Sequence, residues 1–265
     1  MNVPLPASIA IEPLRRDDLD GVATLTLARP RQYNALSEGL LAALQSALDA
    51  IAVDASVRVV VIAADGPAFC AGHDIKEMRA DPRPERIAKL FAQCGRMMQS
   101  LPALPQPVIA RVQGLTTAAG LQLVAQCDLA VAADTARFAA SGINLGLFCA
   151  TPSVPLSRNV PRKQAMEMLL TGDFVDAARA AELGLVNRAV PADRLDAEVA
   201  RLADAIKAKP RAAVAMGKGL FYRQIEAGLA AAYDDAAATM ACNFQDDDAV
   251  EGITAFIEKR KPDWN

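Results

Sequence analysis

Residues 113–134 read QGLTTAAGLQLVAQCDLAVAAD, and this stretch decides the fold. It follows an apolar strand predicted at 107–112, turns on small residues, and continues as a helix predicted from about Ala118 to Ala125. A second apolar strand is predicted from Leu129 to Ala133. A strand, a tight turn of Gly and Ala and a helix N-terminus together present free backbone N–H groups. Those donors can hold a negatively charged oxygen, and the turn contains no carboxylate, Lys or His.

Composition limits the classes of protein to which the chain can belong. Its 265 residues, 52% of them hydrophobic, predict one large domain or one domain with a small appendage. No apolar run reaches the ~18 residues of a membrane span, and the N-terminus lacks the pattern of a secretory signal. A net charge of −3 argues against general nucleic-acid binding. We therefore expect neither a membrane nor a nucleic acid as a partner.

Cysteine and histidine usage argues against a metal site. The chain has five cysteines, none in a CysXaaXaaCys spacing, and a single histidine, His73. A zinc site is therefore not expected, and we predict that the chain binds no metal ion. Widely spaced cysteines in odd number indicate reduced thiols and a cytoplasmic location. Any histidine-dependent catalytic scheme must use His73, which removes most hydrolase triads from consideration.

The rest of the chain reads as strand–helix units followed by helices. Residues 1–15 look like a loose lead-in, and residues 148–155 look like a loop. Strands are predicted at 21–27, 58–63 and 185–190. Helices are predicted at 38–51, 85–101, 162–170 and 177–183, and then at about 192–208, 211–226, 228–242 and 246–259. The order predicts an α/β fold with an all-helical C-terminal portion.

Two turns carry the candidate chemistry, Ala71-Gly-His73 and Ala118-Ala-Gly120. Each follows an apolar strand and precedes a helix. One peptide N–H from each turn could converge on a single oxygen, the usual device for stabilising an enolate or a tetrahedral oxyanion. Turns of this kind also occur as ordinary corners between a strand and a helix, and the spacing alone leaves both interpretations open.

Several segments, in order and at matching spacing, resemble the enoyl-CoA hydratase/isomerase (crotonase) superfamily, most closely its enoyl-CoA hydratase domain-containing branch. They run from about residue 20 to the end of the chain. The segments are RP…YNAL (29–36), FCAGHDIKE (69–77), PVIARVQG (107–114), CDLAVA (127–132), MEMLLTG (166–172), AAELGLVN (180–187) and EGITAFIEKRKP (251–262).

The resemblance implies an α/β crotonase (ClpP-like) spiral of ββα units and a CoA thioester as ligand, with no cofactor. The spiral core would occupy residues 1–200, and residues 201–265 would form a helical region for oligomerisation and CoA contact. The resemblance also implies a homo-oligomer, either a trimer or a hexamer made of two trimers. The implied oxyanion donors are the backbone N–H groups of His73 and Ala119. The implied substrate and CoA contacts are Arg31, Ala35, Leu36, Ala71, Asp74, Ile75, Gly120, Phe256 and Lys259.

The chain departs from the family pattern at both catalytic carboxylates. Gln122 and Gly142 stand where hydratases of the family have glutamates. Adding water across a double bond needs a base to activate the water and an acid to protonate the α-carbon. Efficient hydration is therefore not expected. Three readings stay open: a polarising acyl-CoA enzyme of other chemistry, a non-catalytic acyl-CoA-binding protein, and a hydratase that uses an unmatched residue or a water held by Gln122.

Three neighbouring side chains have two possible roles each. Cys149 either packs in its loop or faces the acyl group, and packing is the more common role of an apolar thiol. The His73 ring is either a hydrogen-bonded structural group at the pocket rim or a group close to the thioester. Asp74 is either an acid or the N-cap of the helix that begins at Ile75, and the second role is favoured.

Overall fold

The structure is a computed structural model that describes residues 12–264. The strands are β1 (Leu14–Leu19), β2 (Val22–Leu27), β3 (Val59–Ala64), β4 (Ala68–Cys70), β5 (Val108–Val112), β6 (Leu115–Thr117), β7 (Leu129–Ala133), β8 (Arg137–Ala139), β9 (Val175–Asp176) and β10 (Arg188–Val190). The helices are α1 (Glu38–Ala52), α2 (Ile75–Ala80), α3 (Pro84–Ala103), α4 (Ala119–Gln126), α5 (Ala150–Asn159), α6 (Arg162–Thr171), α7 (Ala177–Glu182), α8 (Leu195–Lys207), α9 (Arg211–Gln224), α10 (Leu229–Asn243) and α11 (Asp247–Ile257). Short 3₁₀ turns lie at Pro30–Gln32, Ser141–Leu145 and Ala192–Arg194.

From β3 to β8, successive strands alternate between two sheets. The larger sheet has the order β1-β2-β3-β5-β7-β10, and the smaller sheet has the order β4-β6-β8-β9. The pairs β3/β4, β5/β6 and β7/β8 each place one strand in each sheet and are followed by helix. All pairings are parallel except β1 with β2 and β8 with β9. This repetition is the predicted spiral of ββα units, and it confirms the predicted fold class.

Strand β3 lies inside the larger sheet and is buried along its whole length. Val60 and Ile62 belong to the main core together with the buried side chains of α1, α3 and α4, while Val59 and Val61 pack in a second cluster with residues of α8. A parallel strand covered by helices on both faces has no solvent side. The continuous run of apolar residues from Val59 follows from that position.

Helix α1 confirms the helix predicted from its leucines. Leu40, Leu41, Leu44 and Leu48 are all buried. The Ser37 side chain accepts a hydrogen bond from the Leu40 amide at 3.1 Å, which caps the first turn. Together the cap and the apolar face stabilise the helix that connects β2 to β3 in the chain.

Two local predictions are wrong. The lead-in predicted over 1–15 ends too late, because β1 already begins at Leu14 and pairs with Leu27 at the sheet edge. The loop predicted over 148–155 is mostly helix α5, even though Pro152 and Pro155 lie within it. Pro152 is in the first turn, where backbone N–H groups have no intrahelical acceptor, so its missing N–H costs little there.

The C-terminal helices are anchored to the spiral through α9. The Lys218 ammonium group donates to the Leu101 and Gln106 carbonyls and forms an ion pair of 2.7 Å with Asp128, which also accepts from the Tyr222 hydroxyl at 2.8 Å. Asp128 in turn accepts from the Val108 amide at the start of β5. The predicted helices at 211–226, 228–242 and 246–259 are confirmed as α9, α10 and α11, while the division at residue 200 stays a prediction.

Candidate functional site

The first turn of the site joins β6 to α4 through Ala118. This residue has φ +49° and ψ −117°, a conformation rare for a residue with a Cβ. Its amide donates to the Ala139 carbonyl at 3.0 Å, which fixes the turn against the end of β8. Ala119 is the first helical residue of α4, so its N–H has no intrahelical acceptor. The turn therefore presents the Ala119 N–H as a fixed donor.

The second turn joins β4 to α2 through Gly72, which has φ +97°. Leu36 and His73 form a parallel bridge, in which the Leu36 amide donates to the Gly72 carbonyl at 2.7 Å and the Asp74 amide donates to the Leu36 carbonyl at 3.2 Å. Because adjacent N–H groups of an extended chain alternate in direction, the His73 N–H points away from Leu36. It is therefore available on the other side of the turn.

The two turns are in direct backbone contact. The Thr117 hydroxyl donates to the Ala71 carbonyl at 3.0 Å. A Cβ placed on Gly72 in ideal geometry would lie 2.9 Å from the Ala118 Cβ and 3.3 Å from the Ala119 nitrogen. A Cβ on Gly120 would lie 2.1 Å from the Cys70 carbonyl oxygen. Glycine at these two positions lets the two turns come together, while the convergence of their N–H groups on one oxygen stays a prediction.

Gln122 lies one turn into α4 and is only 4% exposed. Its amide nitrogen donates to the Ala118 carbonyl at 3.0 Å, so its backbone belongs to the same turn. Residues three apart on a helix share a face, which places Gln122 on the Ala119 side of α4. Its side-chain oxygen Oε1 is buried and accepts no hydrogen bond from residues 12–264.

Gly142 lies in the 3₁₀ turn after β8, in a position with no room for a side chain. A Cβ there would lie 2.7 Å from the Leu147 carbonyl oxygen and 2.8 Å from the Cys149 Sγ. The Gly142 amide donates to this sulfur at 3.3 Å. Burial raises the pKa of the Cys149 thiol, with a smaller opposing effect of the Gly142 N–H. Cys149 is therefore a protonated packing group that closes the Gly142 position.

The His73 ring is enclosed but not hydrogen-bonded. It makes an edge contact with Phe91, with 5.2 Å between ring centroids. Neither Nδ1 nor Nε2 has a partner within good hydrogen-bonding geometry among residues 12–264, although the Leu36 main chain lies beside the ring. The role of the ring stays a prediction. Burial lowers the pKa of His73, and the Leu36 backbone opposes this effect only in part. The ring is therefore held in its neutral form near pH 7.

Asp74 is the N-cap of α2, as predicted. Its carboxylate accepts from the Glu77 amide at 3.2 Å and forms an ion pair of 2.9 Å with Arg29. Burial raises the pKa of Asp74, but Arg29 and the amides of the first turn outweigh it and lower the pKa. Arg29 also donates to the Ala35 carbonyl. The sequence reading missed this role of Arg29 because its only signal there was a strand end before Pro30.

The other predicted contact residues divide into two groups. Ala35 and Leu36 are buried beside the second turn, while Arg31 and Ile75 are exposed near it. Phe256 and Lys259 lie at the C-terminal end of α11 and just beyond it, and Phe256 is 84% exposed. Phe256 lines an apolar cavity of about 480 Å³ together with Met240, Phe244, Trp264 and neighbouring residues. The described chain thus holds Leu36 against the second turn, while Phe256 lines a cavity among the C-terminal helices.

The described residues offer no metal centre and no membrane span. Within 12–264 there is no cluster of three or more His, Cys, Asp or Glu side chains that could hold a metal ion. No helix in the same range is long and apolar enough to cross a bilayer.

Known proteins resemble this one in fold, and the resemblance covers most of its chain. A profile of the enoyl-CoA hydratase/isomerase family matches residues 17–265. The chain is 44% identical to enoyl-CoA hydratase domain-containing protein 3, mitochondrial, of Mus musculus over 246 residues, which is 93% of this chain and 82% of that protein. Among solved structures, it is similar to an enoyl-CoA hydratase of Mycobacterium smegmatis, with a TM-score of 0.94, 61% identity and coverage of 95% of this chain and 98% of that one. It is also similar to human enoyl coenzyme A hydratase domain-containing protein 3, with a TM-score of 0.93, 43% identity and coverage of 95% and 100%.

Proposed function

This chain belongs to the enoyl-CoA hydratase/isomerase family, and from that premise we propose that it binds an acyl-CoA thioester and polarises the thioester carbonyl between the amides of His73 and Ala119. The observation that carries the proposal is the contact of the two turns, in which Gly72 lies against the Ala119 nitrogen. Two fixed N–H donors aimed at one carbonyl oxygen stabilise the negative charge that an enolate or a tetrahedral intermediate places there.

The backbone donors are independent of the side chains that this chain has lost. Gln122 has no proton to exchange near neutral pH, and Gly142 has no side chain. Loss of a general acid or base forfeits about 10²–10⁴-fold in rate per group. We therefore propose that hydration is inefficient, and that the site serves a reaction that begins from the polarised thioester, such as isomerisation, slow hydration or thioester cleavage.

The CoA moiety would run along the second turn. In this proposal Arg31, Ala35, Leu36, Ala71 and Ile75 contact it, and Asp74 is held in place by Arg29. Phe256 and Lys259 would contact CoA from the C-terminal helices. In this proposal a neighbouring subunit supplies them.

A trimer or a hexamer is the assembly that we propose. The support is the apolar surface of α9–α11, where large side chains are exposed on one chain. Examples are Leu229 at 77%, Tyr233 at 71% and Ile257 at 72%. Exposed apolar groups in this number on neighbouring helices are typical of a subunit interface.

A true hydratase is the second candidate, and one observation favours it. The unpaired Oε1 of Gln122 is an acceptor that could hold a water molecule beside the acyl group. In that case the protein would hydrate crotonyl-CoA rapidly, and Gln122→Glu would change the rate little. Under the main proposal the wild-type rate is low, and Gln122→Glu raises it because the carboxylate supplies a base.

The polarised carbonyl can be tested directly. Titration calorimetry with butyryl-CoA and with S-butyl-CoA, a thioether without the carbonyl oxygen, compares two ligands that differ at that oxygen alone. We expect the thioester to bind at least about tenfold tighter, because two hydrogen bonds are lost with the thioether. Difference Raman spectra of bound butyryl-CoA should also show a lowered carbonyl stretching frequency. Equal affinities with an unshifted carbonyl band would contradict the proposal.

A further inference from the structure

Asn34 is a completely buried polar side chain that the proposed function does not use. Its three side-chain hydrogen bonds all go to the main chain. The side-chain Oδ1 accepts from the Arg29 amide at 2.9 Å, and Nδ2 donates to the Asp65 and Ala68 carbonyls at 2.8 Å each. The Asn34 amide therefore joins the loop after β2 to the turn between β3 and β4 and to the first residue of β4.

The backbone at this position is in a conformation that few residues adopt. Tyr33 and Asn34 follow each other with φ of +51° and +53°, both in the left-handed region. Asparagine tolerates this region better than most residues with a Cβ, because its short amide can form hydrogen bonds close to its own backbone. A conformation of this cost persists only where the surrounding contacts hold it, and the hydrogen bonds of the Asn34 amide are such contacts.

Residues 33–36 lie alongside the second turn of the site and pair with it. The Ala71 amide donates to the Tyr33 carbonyl at 3.0 Å just before the turn, and the bridge between Leu36 and His73 holds the turn itself. The His73 N–H points away from this segment, so its direction depends on where the segment lies. A shift of the segment would turn this donor, and a hydrogen bond weakens steeply as it loses alignment.

Asn34 fixes this segment to the strand that leads into the second turn. Strand β4 is the edge strand of the smaller sheet and pairs on one side with β6, which leads into the first turn. On its other side, residues 33–36 are held beyond the end of β4 by an isolated bridge instead of a strand ladder. The hydrogen bond from Asn34 to Ala68 adds a contact at the start of β4, so the segment is fixed near both ends of the strand.

We propose that Asn34 is a positioning residue of the carbonyl-polarising site: its buried amide fixes residues 33–36 so that the His73 N–H is aimed at the thioester oxygen. In this role Asn34 contacts no ligand atom and acts through the main chain. The inference rests on the proposed function, because it takes the thioester carbonyl to lie at the His73 and Ala119 amides. It adds a residue outside the ligand contacts on which the polarisation of the carbonyl depends.

Asn34→Gly tests this role, because glycine keeps the left-handed backbone and removes all three hydrogen bonds. The ratio of the affinities for butyryl-CoA and S-butyl-CoA measures the contacts with the carbonyl oxygen, since both ligands carry the same CoA. This ratio should fall from about tenfold in the wild-type protein to about threefold, because one of two aligned hydrogen bonds is lost. The carbonyl stretching frequency of bound butyryl-CoA should rise toward that of the free ligand. A merely structural role of Asn34 would weaken both ligands and leave the ratio and the frequency unchanged.

Gln113→Met is the matched control. Gln113 also donates from a side-chain amide to the turn between β3 and β4 and to the start of β4, at the Gly66 and Ala68 carbonyls. Its side chain makes no hydrogen bond to residues 33–36. We expect Gln113→Met to lose stability and to keep the wild-type ratio and the wild-type carbonyl frequency.

Asn34→Asp serves if Asn34→Gly does not fold. It keeps the volume and the acceptor for the Arg29 amide and replaces the donating nitrogen with an oxygen, so its ratio should also fall to about threefold. A wild-type ratio and a wild-type frequency in either folded Asn34 variant overturn this inference while the proposed function stands. If the wild-type protein itself binds the thioester and the thioether equally, with an unshifted carbonyl band, the proposed function is overturned, and this inference with it.

Discussion

Gln122 and Gly142, the two positions at which the sequence predicts the loss of a family glutamate, differ in their surroundings. Gln122 keeps a buried polar side chain whose Oε1 has no hydrogen-bond partner among residues 12–264. Gly142 has no side chain, and the Leu147 carbonyl and the Cys149 sulfur occupy the space that a Cβ would need. One position retains an unpaired acceptor, and the other is closed by the chain itself.

The difference teaches that the two turns and the two predicted glutamate positions are separable. The contact between the turns involves Gly72, Ala118 and Gly120, and the side chain at 122 takes no part in it. Because the Gly142 position is closed, a glutamate could not be placed there without moving the 3₁₀ turn. Under the proposed function, the reaction is therefore organised from the α4 side.

Gly142→Glu gives the largest expected effect. The new Cβ alone would lie under 3 Å from Leu147 and Cys149 atoms, so the 3₁₀ turn must move. We expect a loss of about 3 kcal/mol in the free energy of unfolding, at the upper end for overpacking. Urea unfolding measures it. Gly95→Glu is the matched control, because no atom lies within 4 Å of a Cβ at Gly95 in α3. Equal stability of Gly142→Glu and the control would mean that the position is open after all.

Gly72→Ala tests the contact between the two turns, one of which begins the helix that carries Gln122. The added methyl group would meet the Ala118 Cβ at 2.9 Å, and Gly72 has a positive φ of 97°. We expect a loss of about 2 kcal/mol in stability from clash and backbone strain together. In the double variant with Ala118→Gly the methyl–methyl clash disappears, so the protein should regain about half of the stability that Gly72→Ala costs. Strict additivity of the two changes in unfolding experiments would show that the turns do not touch as described.

The elements with a strong local signal were predictable from the sequence, and those that depend on tertiary contacts were not. The leucines of α1 and the apolar run of β3 repeat at the period of their elements and were predicted within a residue or two. Strand β1 was missed because only its first residue, Leu14, is buried, and it is held by main-chain pairing with β2. Helix α5 was missed because it contains Pro152 and Pro155, and proline within a segment is a poor local signal for helix.

The same distinction applies to the site. Sequence patterns located both turns, since a strand, small residues and a helix follow one another in the chain. They could not show that Gly120 lies against Cys70, because these residues are fifty positions apart. Nor could they show that Cys149 fills the Gly142 position or that Arg29 neutralises Asp74. Those facts follow from how separate segments approach one another in the folded chain.

Gln122→Met is expected to have a small effect of the opposite sign on the ligand-free protein. The substitution removes a buried Oε1 that has no hydrogen-bond partner among residues 12–264 and retains the side-chain volume, so the free energy of unfolding should rise by up to about 1 kcal/mol. Gln106→Met is the contrasting variant: it removes the 2.8 Å hydrogen bond to the Ile51 carbonyl and should lose about 1 kcal/mol. Thermal unfolding of both variants gives the comparison. A loss of stability in Gln122→Met as large as that in Gln106→Met would mean that Gln122 is structural.

The smallest effect is the pH dependence of stability contributed by His73. Both nitrogens of its ring lack a hydrogen-bond partner among residues 12–264. Burial lowers its pKa in the folded protein, so between that value and the ordinary value of about 6.5 the unfolded chain binds more protons than the folded one. The stability contributed by His73 is therefore complete above about pH 6.5 and falls as the pH is lowered. Asp74, whose pKa is also lowered, loses its contribution only as the pH falls through about 3.9 and below.

The pH ranges in which His73 and Asp74 contribute to stability are separate, so the contribution of His73 can be measured without that of Asp74. His73→Gln should remove the decline in unfolding free energy between pH 7 and pH 5 that the wild-type protein shows. Because the chain has a single histidine, its imidazole resonance can be followed by NMR without ambiguity, and it should titrate below 6.5. A ring that titrates above 6.5 would mean that an acidic partner faces it. The surroundings of the His73 ring would then be charged rather than neutral.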